Sequence, residues 1–161
     1  MRRALKHLFT PSWLTQRPFG AATLRAIERA IEDSERRHRG EIRFAIEGPL
    51  HPAHLRLSPR SRARQVFSLL EVWDTEENTG VLLYVQLVDR AIEIVADRGI
   101  AQRVPQADWE HICRAMERAF KARQYEEGAL GAISAVTEIL AREFPAGAAN
   151  PNELPDKPAL L

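Results

Sequence analysis

Val81-Leu82-Leu83-Tyr84-Val85-Gln86-Leu87-Val88, the break Asp89-Arg90, and Ala91-Ile92-Glu93-Ile94-Val95-Ala96 form the stretch on which the fold turns. The first run is apolar almost throughout, the pattern of a central strand covered on both faces. The second resumes a strand after two residues, so a tight hairpin joins them, although its turn has no glycine. Counting outward from a two-residue turn pairs Val88 with Ala91, Leu82 with Asp97 and Gly80 with Gly99. Upstream, Glu41-Ile42-Arg43-Phe44-Ala45-Ile46-Glu47 alternates, which predicts a strand with Ile42, Phe44 and Ile46 on its buried side. Gly48-Pro49 ends it.

Helices flank these strands. Leu24, Ile27 and Ile31 fall on one face of a helix over residues 23–38, with Gly40 as its stop. Ser58-Pro59 opens another, a cap followed by a first-turn proline. Ala63, Val66, Phe67 and Leu70 are its apolar stripe. Trp109, Ile112, Cys113, Met116 and Phe120 line a third helix. Leu130, Ile133, Val136, Leu140 and Phe144 line a fourth, stopped by Pro145. The first strand, the helix after it and the second strand make a crossover unit, which is parallel. The predicted fold class is therefore α/β, a three-layer α/β/α sandwich around a small mixed β-sheet, Rossmann-like in its layering.

A chain of 161 residues is one domain by length. It divides into an N-terminal leader at 1–19, a domain at 20–145 and a tail at 146–161. Pro151, Pro155 and Pro158 in a small, polar context predict a disordered tail. Lys and Arg number 23 against 22 Asp and Glu, a near balance that supplies no overall field for nucleic acid. The single cysteine, Cys113, makes no internal disulfide. No apolar run is long enough to span a bilayer. Met1-Arg2-Arg3 is not followed by an apolar segment of signal-peptide length, so the expectation is a cytoplasmic protein without membrane span, peripheral to a membrane at most. An amphipathic helix at residues 2–9 can pack on the domain or touch a membrane surface or a partner.

Leu69-Leu70-Glu71-Val72-Trp73, Asn78-Thr79-Gly80-Val81-Leu82-Leu83-Tyr84-Val85 and Ile92-Glu93-Ile94-Val95-Ala96-Asp97-Arg98-Gly99-Ile100 together resemble the core of the TPM-domain family. Trp109 with Ile112, then Phe120, Tyr125, Glu126, Gly128 and Ala132-Ile133, extend the resemblance over roughly residues 20–145. That family includes thylakoid-lumen acid phosphatases involved in photosystem repair and many bacterial proteins. Two departures stand out. Thr79 separates Asn78 from Gly80, and Asp97 occupies the first position of a turn that is often Gly-x-Gly. The chain is most similar to the family's short, soluble bacterial branch. The resemblance implies the sandwich fold and, through its phosphatase members, metal-linked phosphatase chemistry.

The loop Asp74-Thr75-Glu76-Glu77-Asn78 holds three carboxylates and an amide within five residues. Hard cations such as Ca2+ and Mg2+ need several oxygen ligands, and clustered carboxylates supply them. The hairpin register brings Asp97 and Arg98 to the same sheet end as this loop. Asp74, Glu76, Glu77 and Asp97 are therefore the candidate metal ligands, and Arg98 a candidate phosphate anchor through its guanidinium fork. Trp73, beside them, is expected in the core. His51 and His54 sit in a proline-containing loop with no second ligand pair, a poor zinc pattern. Cys113 lies on a buried stripe without a basic partner placed to activate it, so no catalytic residue is identified. Two functions remain: a binding or assembly module that engages a protein partner, such as a membrane complex, with a divalent-cation site, or a metal-dependent phosphatase acting on phosphomonoesters.

Overall fold

The computed structural model describes residues 2–11, 17–147 and 150–161; of the leader and tail, residues 1, 12–16 and 148–149 lie outside it. The chain runs α1 (Arg2–Phe9), α2 (Ala21–Glu35), β1 (Glu41–Glu47), α3 (Pro59–Leu69), β2 (Gly80–Gln86), β3 (Ala91–Ala96), α4 (Arg98–Ala101), α5 (Gln106–Lys121), α6 (Tyr125–Glu143) and β4 (Ala159–Leu160), with a 3-10 turn at Pro52–His54. Ser58 caps α3 by accepting from the Ser61 N–H, and Pro59 fills its first turn, as the sequence predicts.

The four strands lie in the order β3-β2-β1-β4. β1 and β2 are parallel, from Glu41 opposite Gly80 to Glu47 opposite Gln86, and β3 is antiparallel to β2. Helices α2, α5 and α6 cover one face over Ile42, Phe44, Ile46, Val81, Leu83, Val85 and Ile94. Helix α3, Val72 and Leu154 cover the other over Ala45, Leu82, Tyr84 and Val95. This is the mixed α/β sandwich that the hydrophobic pattern predicts.

Three expectations give way. The hairpin has a four-residue turn, Leu87 to Arg90, and pairs Gln86 with Ala91 and Val81 with Ala96. The two-residue turn and its pairing of Val88 with Ala91 are wrong by two positions. The longer turn is held by the Leu87 N–H on the Glu47 carbonyl (3.0 Å) and by the Gln86 side chain on the Asp89 N–H (2.8 Å); Arg90 closes it at φ 55°. A shift of two keeps every side chain on its face, so the layers survive the error.

The tail is not disordered over its described residues. Leu154 is 7% exposed, and Ala159 and Leu160 pair in parallel with Ala45 and Ile46 as β4. Asn150 Nδ2 donates to the Glu35 and His38 carbonyls (2.6 and 3.0 Å), and Arg43 donates to those of Pro155 and Lys157. Prolines that forbid a helix still permit an extended strap with carbonyls free to accept. This strap also explains why all seven residues of β1 are buried, where alternation predicts one covered face. The third miss is Trp73, which is 51% exposed rather than in the core.

Candidate functional site

The acidic loop is fixed from below by two glycines. A Cβ on Gly80 would stand 1.9 Å from the Val72 carbonyl oxygen, and one on Gly99 2.6 and 2.7 Å from those of Asn78 and Glu77. The loop thus lies directly on the start of β2 and on α4. Thr75 accepts from the Thr79 N–H through Oγ1 (2.9 Å), and Asn78 takes the left-handed conformation at φ 56°, which asparagine tolerates. The Asp97 N–H donates to the Gly80 carbonyl (2.9 Å), so Asp97 stands where β3 meets the loop.

Of the five residues proposed from sequence, a hydrogen bond joins two, Asp97 and Arg98. Asp97 Oδ1 accepts from the Arg98 N–H at 2.7 Å and caps α4. Its other oxygen, Oδ2, is buried with no hydrogen-bond partner among the described residues. Arg98 Nε donates to Asn78 Oδ1 (2.9 Å). Glu77 is paired with Arg39. Asp74 and Glu76 are exposed, and Glu76 is tied through its backbone N–H to Glu153 Oε2 (2.8 Å). Among the described residues no three His, Cys, Asp or Glu side chains converge as a metal cluster. What Asp97 offers is one carboxylate oxygen without a partner among the described residues; the Glu77 and Asn78 carbonyls lie against the neighbouring Gly99, and that of Asn78 accepts from the Gly99 N–H (3.1 Å).

A second polar group occupies the other end of the sheet, and the sequence gives no spacing that marks it. Arg62 grips Glu47, Nε to both carboxylate oxygens at 3.1 Å and Nη2 to Oε1 at 2.6 Å. Tyr84 also donates to Glu47, and burial, then that contact, holds its hydroxyl far above the usual tyrosine range. His7 reaches the same end from α1. Its Nδ1 accepts from the Leu50 N–H (2.8 Å), so Nε2 carries the proton and donates to Asp89 Oδ1 (3.1 Å). Arg3 completes the contact through Nε and Nη2 on Asp89 and Nη1 on the Leu55 and Leu57 carbonyls.

A third cluster contains a serine–histidine pair, Ser34 Oγ and His38 Nε2 at 2.7 Å. Both are buried. Thr137 commits its hydroxyl proton to the Ile133 carbonyl, so Ser34 donates to Thr137 (2.6 Å) and His38 must donate to Ser34. The proton runs away from the imidazole, the reverse of what a general base for serine requires. Burial holds His38 down at about 4. Beside it, burial pushes Glu35 up to about 9 and Glu41 up to about 7. Glu35 accepts from the Ile42 N–H (2.9 Å) and Glu41 from the Leu154 N–H of the tail (3.1 Å). Cys113 is likewise pushed up to about 12 by burial, which leaves it a thiol without nucleophilic character at neutral pH.

The chain as a whole matches known proteins. A family model described as TPM domain matches residues 17–139. The chain is similar to the BA42 protein of the psychrophilic bacterium Bizionia argentinensis, whose NMR structure superposes with a TM-score of 0.79 at 30% identity, covering 88% of this chain and 94% of that one. No curated protein matches.

Proposed function

Because the chain belongs to the TPM-domain family, we propose that it is a binding module whose acidic sheet end takes one divalent cation, Ca2+ or Mg2+, and presents the ordered loop to a protein partner. The observation that carries this reading is the buried Asp97 oxygen without a donor among the described residues. A desolvated carboxylate oxygen is costly unless something positive meets it. Asp97 is the central ligand, and Asp74 and Glu76 add charge at the rim. Glu77 and Arg98 have protein partners already and serve to hold the loop in shape. The cation supplies charge neutralisation of that oxygen set.

A module is favoured over a phosphatase that uses a side-chain nucleophile: Ser34 accepts a hydrogen bond from His38, and the Cys113 thiol is pushed up by burial; a metal-activated water is the nucleophile left to the phosphatase reading. The test is thermal unfolding with millimolar Ca2+ or Mg2+. Binding to the folded state alone raises the melting temperature by mass action, and Glu76→Gln with Asp97→Asn removes that rise. No rise in the wild type refutes the cation site. Cation-dependent turnover of p-nitrophenyl phosphate that vanishes in the double variant replaces the module by the phosphatase, with Arg98 as the phosphate anchor.

A further inference from the structure

Helix α1 docks with its faces reversed. Its polar side is the buried one: His7 is 3% exposed, and Arg3 and His7 converge on Asp89. Its apolar side looks outward, with Leu5 49%, Leu8 72% and Phe9 75% exposed. An amphipathic helix that served only to cover the domain would turn those three inward. Here the two polar residues fix the helix so that its apolar face stays free.

The charge around this helix is one-sided. Residues 1–9, the loop 48–57 that accepts from Arg3, and the turn 87–90 contain five Lys and Arg against a single carboxylate, Asp89, in a chain whose net charge is only +1. Asp89 is consumed by Arg3 and His7. The next residue, Arg90, lines a groove of about 470 Å³ with Lys121, Arg123, Phe120 and Tyr125, where Glu117 is the one acidic residue. Arg90, Lys121 and Arg123 are exposed, and none of their side chains has a hydrogen bond or ion pair among the described residues. Arg90 and Arg123 both stand in the left-handed region, at φ 55° and 63°, a backbone cost that arginine does not repay by itself. Three unpaired cations on one groove call for an anion.

We propose that this end of the molecule docks on an anionic lipid surface. Leu5, Leu8 and Phe9 enter the boundary between headgroups and acyl chains, while Arg90, Lys121 and Arg123 take lipid phosphates. A second copy of the chain fits less well. Three side chains on two helical turns offer far less than the roughly 1,000 Å² expected of a stable dimer, and two copies of the same basic patch would repel.

The test is co-sedimentation of the full chain with phosphatidylcholine vesicles, with and without phosphatidylglycerol. The expected result is binding only to the anionic vesicles, weakened by added salt and not competed by millimolar inorganic phosphate. Leu8→Glu with Phe9→Glu, and separately Arg90→Asn, Lys121→Gln and Arg123→Asn together, should each weaken it by about tenfold or more. Asparagine is chosen at 90 and 123 because it tolerates the left-handed backbone. The sites are exposed, and unchanged melting temperatures confirm that the variants fold. Absence of binding to anionic vesicles, or binding that survives both variants, overturns the proposal. So does complete competition by inorganic phosphate, which assigns the groove to a soluble anion. So does a wild-type dimer that Leu8→Glu with Phe9→Glu converts to a monomer, which assigns the face to a second copy.

Discussion

Leu154→Ala measures how much the tail contributes. Leu154 is 7% exposed and closes the face formed by Val66, Val72, Leu82 and Tyr84. Truncating a buried leucine to alanine costs about 2–5 kcal/mol, depending on how far the site collapses. A strap held at Asn150, Leu154 and Leu161 relaxes more easily than a helix, so the lower part applies, about 2–3 kcal/mol. For a chain of this length each kcal/mol moves the midpoint by about 2–4 °C, so the expected fall is about 4–12 °C. Urea unfolding followed by circular dichroism gives the free energy, with Leu69→Ala as control. Leu69 is 63% exposed and its truncation should stay within about 0.5 kcal/mol. If Leu154→Ala costs no more than the control, the tail does not stabilise the sheet face.

Further outcomes follow from the same contacts. Glu35 and Glu41 hold protons in the folded state up to about pH 9 and 7 but lose them near 4.5 when unfolded. Their contribution is full below 4.5 and is lost as pH rises, at about 1.4 kcal/mol per unit of pKa gap; Glu35→Gln with Glu41→Gln should flatten the decline of stability between those values. Arg62→Ala leaves Glu47 buried with Tyr84 as its remaining side-chain donor and should cost about 3–5 kcal/mol in urea unfolding. Gly80→Ala drives a Cβ into the Val72 carbonyl, and a cost of about 3 kcal/mol or more should appear as a lowered urea midpoint.

Much of the fold is legible from hydrophobic spacing alone. The continuous run at 81–88 and the alternation at 41–47 place two parallel neighbours, and the stripes on α3, α5 and α6 distribute the helices. The hairpin register is not legible, because the turn is set by the Gln86 side chain and the Glu47 carbonyl rather than by a glycine signature. The tail escapes for a related reason: Leu154 is one apolar residue among prolines, and its value lies in a pocket built by distant segments. At the candidate site, the arrival of Asp97 beside the acidic loop survives the register error because Asp97 moves from Leu82 to Gly80, nearer to the loop. Charge spacing does not reveal that Arg39 and Asn78 take up Glu77 and Arg98. The polarity of α1 is in the sequence, but not which of its sides faces inward; that depends on Asp89 and the Leu50 N–H.

The two-residue strand β4 also guards an edge. β1 is buried along its whole length, and on the side away from β2 its Ile46 carbonyl accepts from the Leu161 N–H while the Gly48 N–H donates to the Leu161 carbonyl. Cleavage before Ala159 would strip these partners and leave a hydrophobic strand with open backbone groups, a template on which another chain can add. Proteolytic trimming of this short segment would thus convert a closed sheet edge into one prone to strand-to-strand association, so that a clipped preparation would differ from the intact chain first in its solubility.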